Sequence, residues 1–258
     1  MEKSEFLRMI DVEGSALLPG VIPKELLRPL KEDLERAIAQ ESEYHARTGA
    51  RVDHGMVLLC ALYPGSLIQV LGEQKLIEPF NWILGDGCII YAYTSSSMPP
   101  YGGNYSCRIH VDCPRMIPGY ITNVGATILL DDFTEENGAT WYLPKSHLRE
   151  GSPTEEEFYA GAKRLVAQAG SVFYFNARLW HSGGRNQTGQ WRHALTINMC
   201  RSFMKQRLDI PRAMAAVGIT EIPEEDIRQK LGFFCQVPAD YAEYYAPAHL
   251  RKYRQKVE

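Results

Sequence analysis

The sequence has no long apolar run. None of its hydrophobic stretches approaches the roughly 20 residues needed to cross a bilayer. Its first twenty residues, MEKSEFLRMIDVEGSALLPG, lack the uninterrupted apolar segment of a secretory signal. A soluble, cytoplasmic protein with no membrane partner is expected. Basic runs are missing too. The 28 Lys and Arg stand against 31 Asp and Glu, a formal net charge of -3, so no surface for a nucleic-acid backbone is expected. The six cysteines (Cys60, Cys88, Cys107, Cys113, Cys200 and Cys235) contain no C-x-x-C pair. They read as free thiols, several of them buried, rather than as a zinc site. Internal repeats and low-complexity segments are absent.

What is present is an ordinary globular balance, 45% hydrophobic and 23% charged. The length of 258 residues fits one large domain or two small ones, and the texture favours a single domain over 1–258. A helical part covers about 1–85, a block of strands about 86–205 and a helical extension about 206–258. In VIPKELLRPLKEDLERAIAQESEYH, Leu27, Leu30, Leu34 and Ile38 recur at helical spacing, and Pro23 suits a first helical position. Pro29 either kinks this helix or marks its true start. Next come short β-type runs such as YSCRIHVD, ITNVGATILLDDF, GATWYLPKSH, RLVAQAGSVFYFN and WRHALTINMCRSF, punctuated by Gly, Asn and Pro. Val124, Ala126, Ile128 and Leu130 fall on one face. The expected fold class is mainly β with flanking helices, built on a double-stranded β-helix (jelly roll, cupin-like) core.

The chemistry gathers in separated segments. In CRIHVDCPR, His110 and Asp112 lie two positions apart, so on a strand both face the same way. Alone, the pair is as well explained by a solvent-facing strand. Far downstream, His181 ends an apolar strand and opens a Gly-rich turn, where a jelly roll returns a distant residue to the H-x-D. Two His and one carboxylate with open positions suit non-haem Fe(II). Arg192, one hairpin later, has the planar fork that grips a carboxylate with two hydrogen bonds; taken singly it reads as a surface cation at a strand start. Thr196 and Asn198 share its face, as polar cavity walls or as hydrogen-bonded core residues.

H-x-D, then NGATWYLPKSH, then AGSVFYFNARLWHSGGRN, then Arg192 in WRHALTINM resembles the phytanoyl-CoA dioxygenase-like family of Fe(II)/2-oxoglutarate oxygenases, over roughly residues 15–205. The resemblance implies His110, Asp112 and His181 as iron ligands. It implies Arg192 as partner of the distal carboxylate of the co-substrate 2-oxoglutarate. Thr140 would be a second co-substrate contact, unless it is a strand threonine facing solvent. Dioxygen and a small-molecule substrate complete the partners, with the protein a monomer or homodimer.

Two departures stand out. Lys145 occupies a turn where relatives commonly have Gly. Cys107 stands where several relatives hold the co-substrate with Gln, so Tyr91, Tyr93 or Asn104 would have to supply another donor; Tyr93 and Cys107 are the positions singled out. Related halogenases lack the carboxylate, so Asp112 points to oxygenation: hydroxylation first, then desaturation, epimerisation or ring closure. The substrate would be a small or mid-sized metabolite, in a natural-product pathway on the family's range. No basic patch marks an acyl-CoA. The alternatives are a cupin-type metal enzyme without 2-oxoglutarate, for which Arg192 would be dispensable, and a binding module that lost the chemistry. The segment TSSSMPPYGGNY reads as a covering loop or an inert connection. Phe233, Phe234, Tyr241, Tyr244 and Tyr245 read as packing, lid or dimer contact.

Overall fold

The computed structural model describes residues 1–49 and 54–251; the end of the expected C-terminal helix, 252–258, lies outside them. Four helices carry most of the first third: α1 (Lys3–Val12), α2 (Lys24–Thr48), α3 (Ser66–Gln69) and α4 (Gln74–Leu84), with strand β1 (Ser15–Leu18) between the first two. Helix α2 starts one residue after Pro23, runs through Pro29, and ends at Gly49, whose left-handed φ of 68° favours glycine. Pro29 therefore neither starts nor ends it.

The strands that follow are β2 (Ile89–Ser95), β3 (Asn123–Leu129), β4 (Trp141–Tyr142), β5 (Lys163–Arg164), β6 (Val172–Asn176), β7 (His181–Ser182) and β8 (Ala194–Cys200), with helix α5 (Glu155–Gly161) before β5. Helices α6 (Ile210–Ala216), α7 (Glu225–Lys230) and α8 (Tyr241–Tyr244) close the described chain. The strands form a five-stranded antiparallel sheet, ordered β1-β6-β3-β8-β2, and a three-stranded sheet, ordered β5-β4-β7. This is a jelly-roll core with flanking helices.

Alternation along the large sheet separates two environments. Val124, Ala126 and Ile128 of β3, Tyr174 of β6 and Leu195, Ile197 and Met199 of β8 face the helices. They pack there with Phe6, Leu30, Leu34 and Phe80 in one apolar cluster, which Leu130 also joins. Tyr174 is the keystone: Phe6 and Phe80 meet its ring edge-on at 5.4 and 5.3 Å, and its hydroxyl donates to Leu76 O at 2.9 Å. Each such aromatic pair is worth about 0.5–1.5 kcal/mol beyond simple burial. The opposite face of the same strands carries Thr127, Phe175, Thr196 and Asn198 toward the space between the sheets. Helices thus close one face of the sheet and leave the other free to build a cavity.

One irregularity shapes that cavity. Strand β2 pairs with β8 as Ile90↔Met199 and then Ala92↔Asn198, so Tyr91 is an extra, bulged residue. A bulge re-aims side chains, and Tyr91 and Ala92 both line the cavity while Tyr93 turns to the helices. At the far end of the chain, Phe234 is buried, but Tyr241, Tyr244 and Tyr245 are 83%, 61% and 74% exposed. The expectation that these three tyrosines pack on the core is corrected.

Candidate active site

His110, Asp112 and His181 converge although none lies in a long strand. His110 pairs with His181 across an isolated bridge, each N–H donating to the other's carbonyl at 2.9 Å. Asp112 sits in a bend, its N–H donating to Ala177 O at 2.9 Å. His181 does not end the apolar strand β6; it opens the two-residue β7, paired with Tyr142. The H-x-D segment is thus held by hydrogen bonds to the loop 177–181 rather than by strand geometry.

One ligand atom from each of the three residues lies within 4.8 Å of the others. Both imidazoles are oriented by backbone. His110 Nδ1 lies 2.8 Å from Arg108 O, and His181 Nδ1 2.9 Å from Leu179 O. A carbonyl accepts only, so in the neutral ring each Nδ1 carries the proton and Nε2 the free lone pair, the tautomer a metal requires. The two Nε2 atoms lie 3.8 and 3.9 Å from Asp112 Oδ1. The carboxylate's other oxygen, Oδ2, accepts from Asn198 Nδ2 at 3.2 Å, and Asn123 Nδ2 donates to Asn198 Oδ1 at 3.0 Å. Asn198 thereby commits one oxygen of Asp112 to the protein and leaves the other facing the imidazoles. Burial, reinforced by His181 and opposed by Asp112, holds the His110 imidazole down to about 4. It is therefore neutral and able to coordinate at neutral pH.

Arg192 lies at the other end of the same cavity, 1% exposed. Its Nη1 donates to Ser96 O and its Nη2 to Gly138 O, both at 3.2 Å, and the guanidinium lies 4.1 Å over the Phe133 ring. Its Nε is buried without a partner among the described residues. No carboxylate of the described residues pairs with it. Burial lowers its pKa to about 9, with Cys107 and Asp131 pulling the other way, so it stays cationic at neutral pH. A buried cation with unused donors is unfavourable until an anion arrives. Gly138 is needed at this point: its φ is 86°, and a Cβ would meet Gly184 O at 2.5 Å. The neighbouring His193 ties this end to α2 through Glu35 at 3.3 Å, and its N–H donates to Asp131 Oδ2 at 2.8 Å.

Of the remaining expected positions, Thr140 lines the cavity. Tyr93 does not: it is fully buried on the helix face and its hydroxyl donates to Leu67 O at 2.8 Å. The bulge at Tyr91 is the reason. Cys107 also fails to line the cavity. Its Sγ lies 3.9 Å from Gly184 O, while its carbonyl accepts from Ser182 Oγ at 2.8 Å. Asn104 is spent on local structure, accepting from Ser106 N and Oγ and donating to Ser97 O. Met56, Met98 and Tyr105 add to the walls, so part of the 95–105 segment faces the cavity. Lys145 keeps the turn that relatives make with Gly, at φ 64°, its N–H donating to Glu13 O.

Asn198's grip on Asp112 and the cavity positions of Thr127, Phe175 and Arg207 were not anticipated. Asn198 was expected on the face of Arg192, as a cavity wall or a hydrogen-bonded core residue, and it does line the cavity; that it would hold Asp112 was not. Arg207 lies beyond the last strand, where no periodicity signals it.

A jelly roll holding two histidines, one carboxylate and a buried arginine around one cavity defines the class of non-haem iron, 2-oxoglutarate-dependent oxygenases. The chain matches the phytanoyl-CoA dioxygenase (PhyH) family over residues 10–194 and belongs to it. An uncharacterised protein of Mycobacterium tuberculosis, Rv1501, is 31% identical over 252 residues, covering 94% of this chain and 91% of the relative. Two solved structures show the fold at low identity. The epimerase SnoN, in complex with Fe3+, alpha ketoglutarate and nogalamycin RO, superposes with a TM-score of 0.63 at 17% identity, covering 86% of this chain and 91% of that one. HygX from Streptomyces hygroscopicus, with nickel and 2-oxoglutarate bound, gives 0.59 at 16% identity, covering 78% and 88%. Among the described residues, no helix is long and apolar enough to cross a membrane.

Proposed function

We propose that this protein is a dioxygenase that oxidises an unactivated C–H bond of a small or mid-sized metabolite in a biosynthetic pathway, with hydroxylation as its outcome. In this reading His110, Asp112 and His181 hold Fe(II), and Arg192 takes the far carboxylate of 2-oxoglutarate. The observation that carries it is the pairing, in one cavity, of a pre-oriented two-His, one-carboxylate set with a buried cation that no carboxylate of the described residues pairs with.

Bound iron, with 2-oxoglutarate and dioxygen, supplies the oxidising chemistry. The chain's own residues do the rest. The carbonyls of Arg108 and Leu179 hold the Nδ1–H tautomer of each neutral imidazole, so that Nε2 carries the lone pair, while Asn198 turns Asp112 so that a single oxygen is presented. Arg192 neutralises an incoming carboxylate while its own position is fixed by Ser96 O, Gly138 O and Phe133. Thr140 would add a hydroxyl contact to the co-substrate.

SnoN, from nogalamycin biosynthesis, supports a natural-product role. Asp112, a carboxylate where related halogenases have none, supports oxygenation. The test is consumption of 2-oxoglutarate with Fe(II). Asp112→Ala and His181→Ala should each lose more than the roughly 10–100-fold that removing a mere outer partner costs. Undiminished turnover in either variant would overturn the ligand assignment. A cupin-type enzyme without 2-oxoglutarate would show no co-substrate consumption at all.

A further inference from the structure

The cavity has a second cation. Arg207 lines it, is exposed, and makes no side-chain hydrogen bond or ion pair with the described residues. Its position is nevertheless set by the fold. Its backbone N–H donates to the carbonyl of the bulged Tyr91 at 2.9 Å. The preceding residue is pinned twice, Gln206 Nε2 donating to Ile90 O at 2.8 Å and to Leu231 O at 3.0 Å. The bulge thus brings a tyrosine and an arginine together on the cavity wall.

A charge count indicates what they receive. Apart from histidine, the charged residues lining the cavity are Asp112, Arg192 and Arg207. On the proposed reading, Asp112 and Arg192 offset each other, and so do Fe(II) and the doubly charged co-substrate. One positive charge is left over, and it belongs to Arg207. Fixed charge of one sign in a cleft draws in ligands of the other sign and rejects those of its own. Arg207 is exposed, so this wall of the cavity reaches the surface and leaves room for a mid-sized substrate to extend outward past it.

We infer that the substrate is an acid. It carries a carboxylate or phosphate monoester that Arg207 grips, with Tyr91 beside it, while the reacting carbon lies deeper. Arg207 is then the specificity-determining residue. A single guanidinium suits a single anionic group rather than the several phosphates of coenzyme A.

This inference rests on the proposed function, so its test is arranged to tell the two apart. Protein loaded with nickel and 2-oxoglutarate, which does not turn over, is screened by equilibrium dialysis. The probes are carboxylic acids, phosphate monoesters, and the matching amides, alcohols and primary amines. At least one acid should bind tenfold or more tightly than its neutral counterpart, and the two acid arms identify which anion is preferred. Arg207→Lys should retain most of that preference. Arg207→Glu should lose it and gain affinity for the matching amine, a gain that misfolding cannot produce. Neutral probes that bind as well as the acids, or acids that bind Arg207→Glu as they bind wild type, would overturn this inference alone. A protein that retains neither nickel nor 2-oxoglutarate would overturn the reading of the site and this inference with it.

Discussion

The two ends of the cavity are built on opposite principles. At the metal end the ligand side chains and Asn198 behind them are already held: both Nδ1 atoms by carbonyls, Asp112 Oδ2 by Asn198, and Asn198 Oδ1 by Asn123, whose own Oδ1 is the atom left over among the described residues. At the other end Arg192 is buried as a cation with two carbonyl contacts and, among the described residues, neither a partner for its Nε nor a carboxylate paired with it. The ligand side chains of the first end are oriented in advance, whereas the second end is left short of an anion. On the proposed reading, pre-orientation favours tight, geometrically selective metal binding, and an uncompensated charge makes co-substrate binding relieve an existing cost.

The strongest way to break this contrast is to remove the arginine. Arg192→Met, of similar length but apolar, should weaken 2-oxoglutarate binding by about 100-fold, the scale of a charge-assisted double hydrogen bond. Thermal stability of the metal-free protein should hold or rise, because replacing a buried unpaired charge by an apolar side chain is neutral or favourable. A large fall in melting temperature would show that Arg192 is structurally complete after all.

A smaller effect sharpens the other end. Asn198→Leu releases Asp112 Oδ2 and strands Asn123, so Fe(II) affinity should fall by about 10–100-fold, and stability by about 1–3 kcal/mol from the unpaired amide. Metal titration and thermal melts read the two separately. Unchanged metal affinity would mean that Asp112 needs no orienting partner.

The mildest test is pH. His110, His147 and His193 are all held below the ordinary histidine value, burial being the main cause in each. The folded protein therefore resists protonation that the unfolded chain accepts. Their contribution to stability is complete above about pH 6.5 and shrinks as pH falls toward the folded values. His110 alone, down to about 4, accounts for a loss of about 2 kcal/mol by pH 5. Melting temperatures of the metal-free protein between pH 7.5 and 5 should show that decline, and His110→Gln should flatten part of it. A flat profile in the wild type would contradict the neutral, metal-ready state described for His110.

Much of this was legible in the residues. Alternation placed Val124, Ala126 and Ile128 on the core face, and the same alternation put Arg192, Thr196 and Asn198 on the cavity wall. Those are local consequences of strand geometry and need no knowledge of the fold. Tyr93 failed because one bulged residue at Tyr91 changes which side chains face the cavity, and no feature of IIYAYTS announces a bulge. Cys107 failed because a three-residue turn with its own hydrogen bonds, Tyr105–Cys107, directs the thiol toward Gly184. Position relative to a motif does not carry side-chain direction through irregular backbone.

By itself, then, the order of the chain determined the kinds of groups available: two imidazoles, a carboxylate, an arginine, and strands with one apolar face. Only the tertiary structure decided which atoms of those groups stay free. That choice depends on carbonyls and amides contributed from distant segments, such as Leu179 O to His181, Gly138 O to Arg192 and Asn198 Nδ2 to Asp112. A site's chemistry lies in its unsatisfied atoms, and satisfaction is a property of three-dimensional neighbours rather than of residue type.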